Sequence, residues 1–501
     1  MKALLRKLTG RRARRIYFWG SITLLTLIVL GYQIENWRGA RAWKQASERL
    51  ERENEAFTIA ELTPEPVPES ENFFGTPSLA GIATDDEREK GPHSIQRKRL
   101  VDIYPGNPGS STDLSPPDLP YLNEDRQIDF VEWITYARAA ETLSIEDSPP
   151  ETSAKRFLEA LDSAHGPLFQ ELSEAASRPY SAVTPSFAEL AEGKMVFNVG
   201  MHHIGSIVSL AKTMTLRAAA ATELGDSKRA MESIQILMRL SEGMRATPNF
   251  LGAVVSFGID HHTYRAIRQG LQSNLFDTQQ LQTLERGLVL NRQGDTILRA
   301  MRGELRGALD AMDWLRQKKT DPAFLSTVID MKNSGLNSLG LLLARMSPSG
   351  WIDQNRANLL NWSLDYMVLP ARDSSSREIA TKANELENLV KRERARSLSR
   401  PHNFVPIAVM PMFSNMLVAM IREETQHQFV QTACQLAGYK AAHGHYPDKL
   451  SALVPEFTEK LPFDPLDPEG KPINYQLIGE GYRLSADTID QELTWTLRKR
   501  E

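Results

Sequence analysis

A single cysteine, Cys434, stands in 501 residues. The chain therefore forms no disulfide within itself, no thiolate zinc site and no dithiol redox pair. The well-marked catalytic signatures are missing too. There is no His-Glu-x-x-His, no Gly-x-Ser-x-Gly and no phosphate-cradling Gly-Lys-Ser/Thr loop. These gaps remove the marked enzyme classes and leave only dispersed sites, such as scattered triads, open. A net charge of −4 gives no overall field for nucleic acid. One local absence is informative. The first fifteen residues hold Lys2, Arg6, Lys7, Arg11, Arg12, Arg14 and Arg15 and no acid.

Charge is absent altogether from Ile16 to Ile34, a run bounded by Arg15 and Glu35. As a helix rising about 1.5 Å per residue, it approaches the roughly 30 Å hydrocarbon thickness of a bilayer. Tyr17 and Trp19 at one end, and Tyr32 and Trp37 at the other, fit interfacial aromatic belts. The basic cluster in front predicts a cytoplasmic N-terminus, with the rest of the chain exported. The bilayer is thus the expected partner, through residues 16–34. The competing reading is a cleavable signal peptide, with Ala40-Arg41-Ala42 as the small-x-small site and Arg14-Arg15 loosely matching a twin-arginine signal. A second apolar stretch, Phe404 to Ile421, contains Pro406, Pro411, Ser414 and Asn415 and is expected to be a buried segment, not a second span.

Beyond the membrane run, residues 35–56 are charged helix formers that continue the helix outward. Prolines crowd residues 57–126, which forbids long helices and predicts an extended tether. Phe73, Phe74, Leu79 and Ile82 give that tether groups able to dock on the body. A helical domain is expected over 127–427. There Phe197, Met201, Ile204, Val208 and Ala211 recur at helical spacing beside a second stripe of Val196, Val199, Ile207, Leu210 and Met214. Ala230, Ile234, Leu237 and Met244 form another stripe, interrupted by Ser241. Breaks fall at Gly225-Asp226, Thr247-Pro248-Asn249, Asn291 to Gly294 and Ser347 to Gly350. The last module, 428–501, reads as a helix capped at His443-Gly444, a short helical turn after Pro447-Asp448, and a hairpin of strands 473–477 and 482–486. The expected fold is mainly α: one N-terminal transmembrane helix, a multi-helix exported body, and a small C-terminal α+β module.

The residues that invite a site are His202-His203 and His261-His262, with Asp260 beside the second pair. Two histidines on facing helices, with a carboxylate, make a plausible metal set. Yet neighbours on a helix point about 100° apart. His203 falls in an apolar stripe, and His261 shares one with Val254, Phe257 and Tyr264, so core-edge histidines satisfied by their neighbours are expected. Glu424-x-x-His427 has the spacing used in di-iron bundles, but no second such motif accompanies it. His443-Gly444-His445 suits a turn. Cys434, among Phe429, Val430, Ala433 and Leu436, suits a buried, inert thiol. No catalytic, cofactor-binding or metal residue is therefore assigned, and no cofactor is expected.

Two segments resemble known families. Leu216 to Leu240, with Ala218, the Gly225-Asp226 turn, Ala230 and Ile234, resembles a single tetratricopeptide repeat, although no second copy follows 34 residues on. The segment from Gly438 to Ala486 resembles the C-terminal half of type II secretion major pseudopilins: helix, Tyr-Pro turn, short helix, Pro-x-Asp-Pro and hairpin. That family's calcium site would lie near Ser485 and Asp487, but its Ser-x-Gly-x-Asp pattern is absent. The prepilin cleavage pattern is absent as well. The whole arrangement is similar to an uncharacterised family of membrane-anchored bacterial envelope proteins that share a segment like Pro64 to Phe73, a helical middle and this tail. The resemblance implies a periplasmic compartment and no activity.

The reading is a membrane-tethered, non-catalytic helical scaffold or interaction protein of the bacterial cell envelope, in the inner membrane, with an envelope protein as a possible partner and no nucleic acid. Two alternatives stay open. One is an envelope hydrolase or metal-dependent enzyme with a dispersed site in the helical body. The other is an accessory component of a secretion or pilus-like assembly.

Overall fold

The computed structural model describes residues 11–55, 62, 67–83, 92–107, 115–120, 122, 124, 126–145, 152–183, 201–290, 294–318, 347–397, 400–464, 466–467, 471–487 and 492–498. The chain is mainly helical with a small antiparallel sheet near its end. In chain order the helices are α1 (Arg11–Arg52), α2 (Pro92–Asp102), α3 (Phe130–Ala139), α4 (Ser153–Ala175), α5 (Ile204–Glu223) and α6 (Ser227–Arg245). Next come α7 (Phe250–Gln272), α8 (Thr278–Leu290), α9 (Gly294–Lys318) and α10 (Ser349–Ser363), the last running through a π-helical turn (Leu364–Val368) into Leu369–Asp373. Then follow α11 (Ser376–Arg394), α12 (Phe404–His443) and strands β1 (Asn474–Ile478), β2 (Gly481–Asp487) and β3 (Glu492–Leu497).

Two compact units divide the chain. The first gathers residues 1–56, 305–366 and 384–413; the second gathers 57–304, 367–383 and 414–501.

In the first unit α1 is one unbroken helix with two different surfaces. Every side chain from Arg15 to Ile34 is exposed, while Gly39 and Ala46 are buried. The buried half lies on α10. A Cβ on Gly39 would overlap the backbone of Gly350, and one on Gly350 would overlap that of Glu35, so two glycines let the helices touch backbone to backbone. Polar groups fix the crossing. Trp351 Nε1 and Gln354 Nε2 donate to Glu35 at 3.2 and 3.0 Å, and the Gly350 amide donates to Asn36 at 2.9 Å. Arg356 lies 3.7 Å over the Trp43 ring, and Arg49 meets Asp365 at 2.5 Å. The helix ends where Asn54 takes a positive φ of 58°.

In the second unit, helix starts follow side-chain caps. Asp129, Thr152, Asp226 and Asn249 each accept a backbone N–H of the first turn of α3, α4, α6 and α7. The turns expected at Gly225-Asp226 and Thr247-Asn249 separate α5, α6 and α7, which pack on one another. Ala230, Ile234, Leu237 and Met244 are buried, and so is Ser241 in their midst. Helix α5 starts at Ile204, so Met201 sits in the turn before it. Val196, Phe197 and Val199 lie outside the described residues.

In the proline-rich stretch, the groups expected to be able to dock on the body are packed into it. Phe73, Phe74, Leu79, Ile82, Leu100, Ile103 and Tyr104 are all buried in the core that holds Trp133, Phe157, Leu210 and Leu237. Among the described residues of the stretch, a 3₁₀ turn buries Phe73 and Phe74 and α2 buries Leu100.

The tail differs in two respects. The boundary expected at 427/428 falls inside α12, because Pro406 occupies the first turn and Pro411 is carried within the helix. The hairpin is part of a three-stranded sheet in the order β1-β2-β3. Its first pair is antiparallel with Tyr475 opposite Leu484 and Leu477 opposite Tyr482. The third strand places Trp495 opposite Leu484 and Leu497 opposite Tyr482. Tyr482, Leu484, Trp495 and Leu497 are buried with Phe429, Val430, Ala433 and Leu436 of α12. Leu477 is exposed, on strand β1 at the sheet edge.

Candidate functional site

A set of buried polar side chains in the second unit lies where α6, α7 and α12 meet. Asp260 of α7 accepts a hydrogen bond from the Ser241 hydroxyl at 2.7 Å and pairs with Arg245, both on α6. One turn along α7, the Tyr264 hydroxyl and His427 Nδ1 of α12 lie 2.9 Å apart. Between these, His261 Nε2 lies 2.9 and 3.1 Å from the two oxygens of Glu423. Asp260, Arg245, Glu423 and His427 are all buried, and each meets a partner of complementary chemistry, as burial of charge demands.

Electrostatics separates the histidines. Burial disfavours the His261 imidazolium, but the hydrogen bond and charge of Glu423, with the charge of Asp260, hold its pKa above the ordinary value. Burial first, then the charges of Lys212, His261 and Arg265, pulls His262 down to about 4. His203 is 1% exposed, and neither ring nitrogen has a hydrogen-bond partner among the described residues. Burial, then His202 and Arg97, pulls it down to about 4, so it is neutral at pH 7.

The sequence-flagged residues are thus dispersed. His202 is exposed while His203 is buried, both in the turn before α5. His203 faces the charges of His202 and Arg97, whereas His261 faces Glu423, Asp260 and Arg422. Asp260, read as a helper carboxylate for a metal, is occupied by Ser241 and Arg245. Among the described residues no three His, Cys, Asp or Glu side chains gather to hold an ion. The expectation of neighbour-satisfied histidines fits His261; it does not fit His203. Glu424, of the Glu-x-x-His motif, bonds Gln428 one turn along at 3.5 Å, and its neighbour Glu423 is the carboxylate that meets a histidine. Spacing within one helix carries no signal for that pair, which spans 162 residues.

His443 stacks on Tyr439 at 4.1 Å, and His445 Nδ1 lies 2.9 Å from the Tyr446 carbonyl, at the turn closed by Gly444. Cys434 is fully buried, and burial raises its thiol pKa far above the ordinary range, so it is inert. At the other tail position of interest, the Ser485 hydroxyl accepts from Asn474 at 3.3 Å and the Asp487 amide donates to Asp464 at 3.2 Å.

Two arginines of α7 were not legible as functional. Arg265 donates to the carbonyls of Pro120 and Arg126 at 2.5 and 2.8 Å. Arg268 donates to those of Leu122 and Thr496 at 2.8 and 3.2 Å. Together they fasten the end of the proline-rich stretch and β3 to one helix. Such charge-assisted bonds to backbone fix chain position, which is a structural role. Elsewhere in this unit, a partly open cavity of about 60 Å³ is lined by Asn72, Phe74, Leu79, Ile82 and Val183. Compared with known protein families, curated proteins and solved structures, the chain matches none significantly.

Proposed function

We propose that this protein is a membrane-tethered, non-catalytic helical scaffold or interaction protein of the bacterial cell envelope. The observation that carries the reading is α1. Its apolar half is exposed from Arg15 to Ile34, and its polar half is locked onto α10 through Gly39, Glu35, Trp43 and Arg49. An anchor continuous with a packed helix holds a body at a fixed distance from a bilayer, whereas a flexible leader does not. The basic cluster before Ile16 supports a cytoplasmic N-terminus and an inner-membrane location with the bulk outside the cytoplasm. The polar seam supports a structural role, since Asp260, Arg245, Arg265 and Arg268 are spent on partners within the unit.

The test has two parts. A reporter active only outside the cytoplasm, fused after Ala56, is expected to be active, with the protein retained in membranes. Release of a soluble form beginning near Trp43 would show a cleaved signal instead. Affinity capture of the intact protein from solubilised membranes is expected to return an envelope protein partner; turnover of a substrate by the purified chain would overturn the non-catalytic reading.

A second reading, an accessory part of a secretion or pilus-like assembly, is favoured by the tail alone. Helix α12, the Tyr446-Pro447 turn, the short helical turn Leu450–Leu453 and the antiparallel β1–β2 pair follow one another in the pseudopilin-like order. Capture of pilin-like subunits by the full chain, lost on Tyr482→Asp, would favour it over a general scaffold.

A further inference from the structure

Helix α12 opens with an apolar stripe left uncovered. Phe404 (67% exposed), Ala408 and Met412 (46% exposed) recur every four residues, so they share one face, while Ile407, Met410 and Phe413 are buried on the other. A stripe of this kind on the first unit needs an occupant, and two features say which.

The first is position. The Val405 amide donates to Asn355 at 2.9 Å. Asn355 adjoins Gln354, whose side chain donates to Glu35 at 3.0 Å. Glu35 is the first residue after the uncharged run of α1. Asn358 extends the same tie, donating to the His402 carbonyl at 3.3 Å and to Asn403 at 2.6 Å. The charges of Arg38 and Glu35 both act on the His402 ring. The start of α12 therefore lies beside the point where the apolar half of α1 ends. The second feature is charge. Lys391, Arg392, Arg394, Arg396 and Arg400 precede the stripe and are all exposed; Glu393, the only acid among residues 391–400, is buried and binds Arg400 at 2.9 Å.

We infer that this face is a second membrane contact. Phe404 and Met412 enter the boundary between headgroups and acyl chains of the same bilayer that α1 crosses, and the basic turn at 391–400 meets anionic lipid phosphates. An exposed apolar helical face flanked by cations is the chemistry that binds an anionic bilayer surface. The contact fixes the unit's orientation on the membrane, which a single spanning helix leaves free to rotate. It rests on the reading that α1 spans the bilayer.

The full-length protein in vesicles tests it. Phe404→Cys carries an environment-sensitive fluorophore, and Cys434, the other thiol, is fully buried and does not compete. Phe18→Cys, labelled in the same way, reports on α1. In phosphatidylcholine vesicles containing phosphatidylglycerol, both labels are expected to be shielded several-fold from an aqueous quencher. The shielding at 404 should weaken, and that at 18 should not, when phosphatidylglycerol is omitted or when Arg396 and Arg400 are changed to Glu. A shielded label at 18 with a fully accessible one at 404 overturns this contact and leaves the span standing. Accessibility at both positions overturns both readings. Disulfide-linked dimers through position 404 would assign the stripe to a second copy of the chain and also overturn the bilayer contact.

Discussion

Helices α1 and α12 are the two in the described chain long and apolar enough to cross a membrane, and their surroundings are opposite. The more apolar stretch belongs to α12, yet 44% of it is buried within the protein, against 0% of the corresponding stretch of α1. Hydropathy thus does not separate them, whereas burial does. What separates them is the arrangement of apolar groups and the company they keep. On α12, Ile407, Met410, Phe413, Leu417 and Ile421 are buried at steps of three and four, and polar groups such as Thr425 bond the helix's own backbone. On α1, the apolar side chains from Ile16 to Ile34 face every direction and are all exposed. A helix apolar all round needs a bilayer as solvent; a helix apolar on one side needs a core.

A buried charge is the sharpest way to break this comparison. Leu417→Asp places a carboxylate in a fully buried site and is expected to lower stability by about 5 kcal/mol, seen as a collapse of the thermal transition in detergent. Leu25→Asp should leave that transition in place and weaken only membrane retention, since a charge at a span centre costs about 3 kcal/mol of insertion. If both variants behave alike, the two helices have been wrongly distinguished.

The C-terminal half of α12 shares its core with the sheet and with helices α5 to α8. Tyr482 is fully buried, with its ring edge-on to Tyr446 at 5.0 Å and close to Tyr475, whose hydroxyl donates to the Pro447 carbonyl at 2.7 Å. Tyr482→Asp is expected to cost about 4 kcal/mol and expose the segment after Gly444 to protease. Unchanged protease resistance would mean that α12 does not depend on the sheet. Next in size is Gly39→Leu, aimed at the polar half of α1. The side chain has no room against the Gly350 backbone, and overpacking at such a contact costs about 3 kcal/mol. Membrane retention should survive, while hydrogen exchange on α10 rises. Slow exchange on α10 in that variant would show that the crossing is not where the helix is held.

Local chemistry made several elements legible. The uncharged run, the charged continuation of α1 and the glycine stop at Gly444 each record a one-dimensional constraint that a sequence displays. Other features depend on partners distant in the chain. Strand β3 carries an alternating Leu493, Trp495 and Leu497, but its short, charged surroundings at the chain end masked the period. The prolines of 57–126 signal extended backbone and say nothing of whether Phe73 or Phe74 is buried; that is decided by contacts such as the one Phe74 makes with Gly243. Among the site candidates, the histidine pairs were visible while the carboxylate that matters to His261 was not. Glu423 and Glu424 are indistinguishable until α7 and α12 are side by side.

The smallest effect concerns that same pair and distinguishes α12 as a core helix by its titration. The His261 side chain is 39% exposed and Glu423 is buried. Because the folded-state pKa of His261 is raised, its pairing stabilises the fold fully below the unfolded value of about 6.5 and is lost as pH rises through the folded value. His203 and His262, both pulled down to about 4, act in the opposite sense: their neutral burial favours the fold above about 6.5 and is lost as pH falls toward 4. Glu285 is pushed up to about 7 by burial, so it disfavours the fold as pH rises from about 4.5 toward 7. These windows overlap below neutrality, and a single stability profile mixes them. The difference between the native chain and Glu423→Gln removes the shared contributions and isolates the pair. The native chain is expected to be the more stable at pH 6 by less than about 1 kcal/mol, since solvent screens the half-exposed ring, and the difference should shrink steadily up to pH 8. A difference that is flat across that range would show that His261 and Glu423 are not coupled in solution, and that the seam between α7 and α12 is held by Tyr264 and His427 alone.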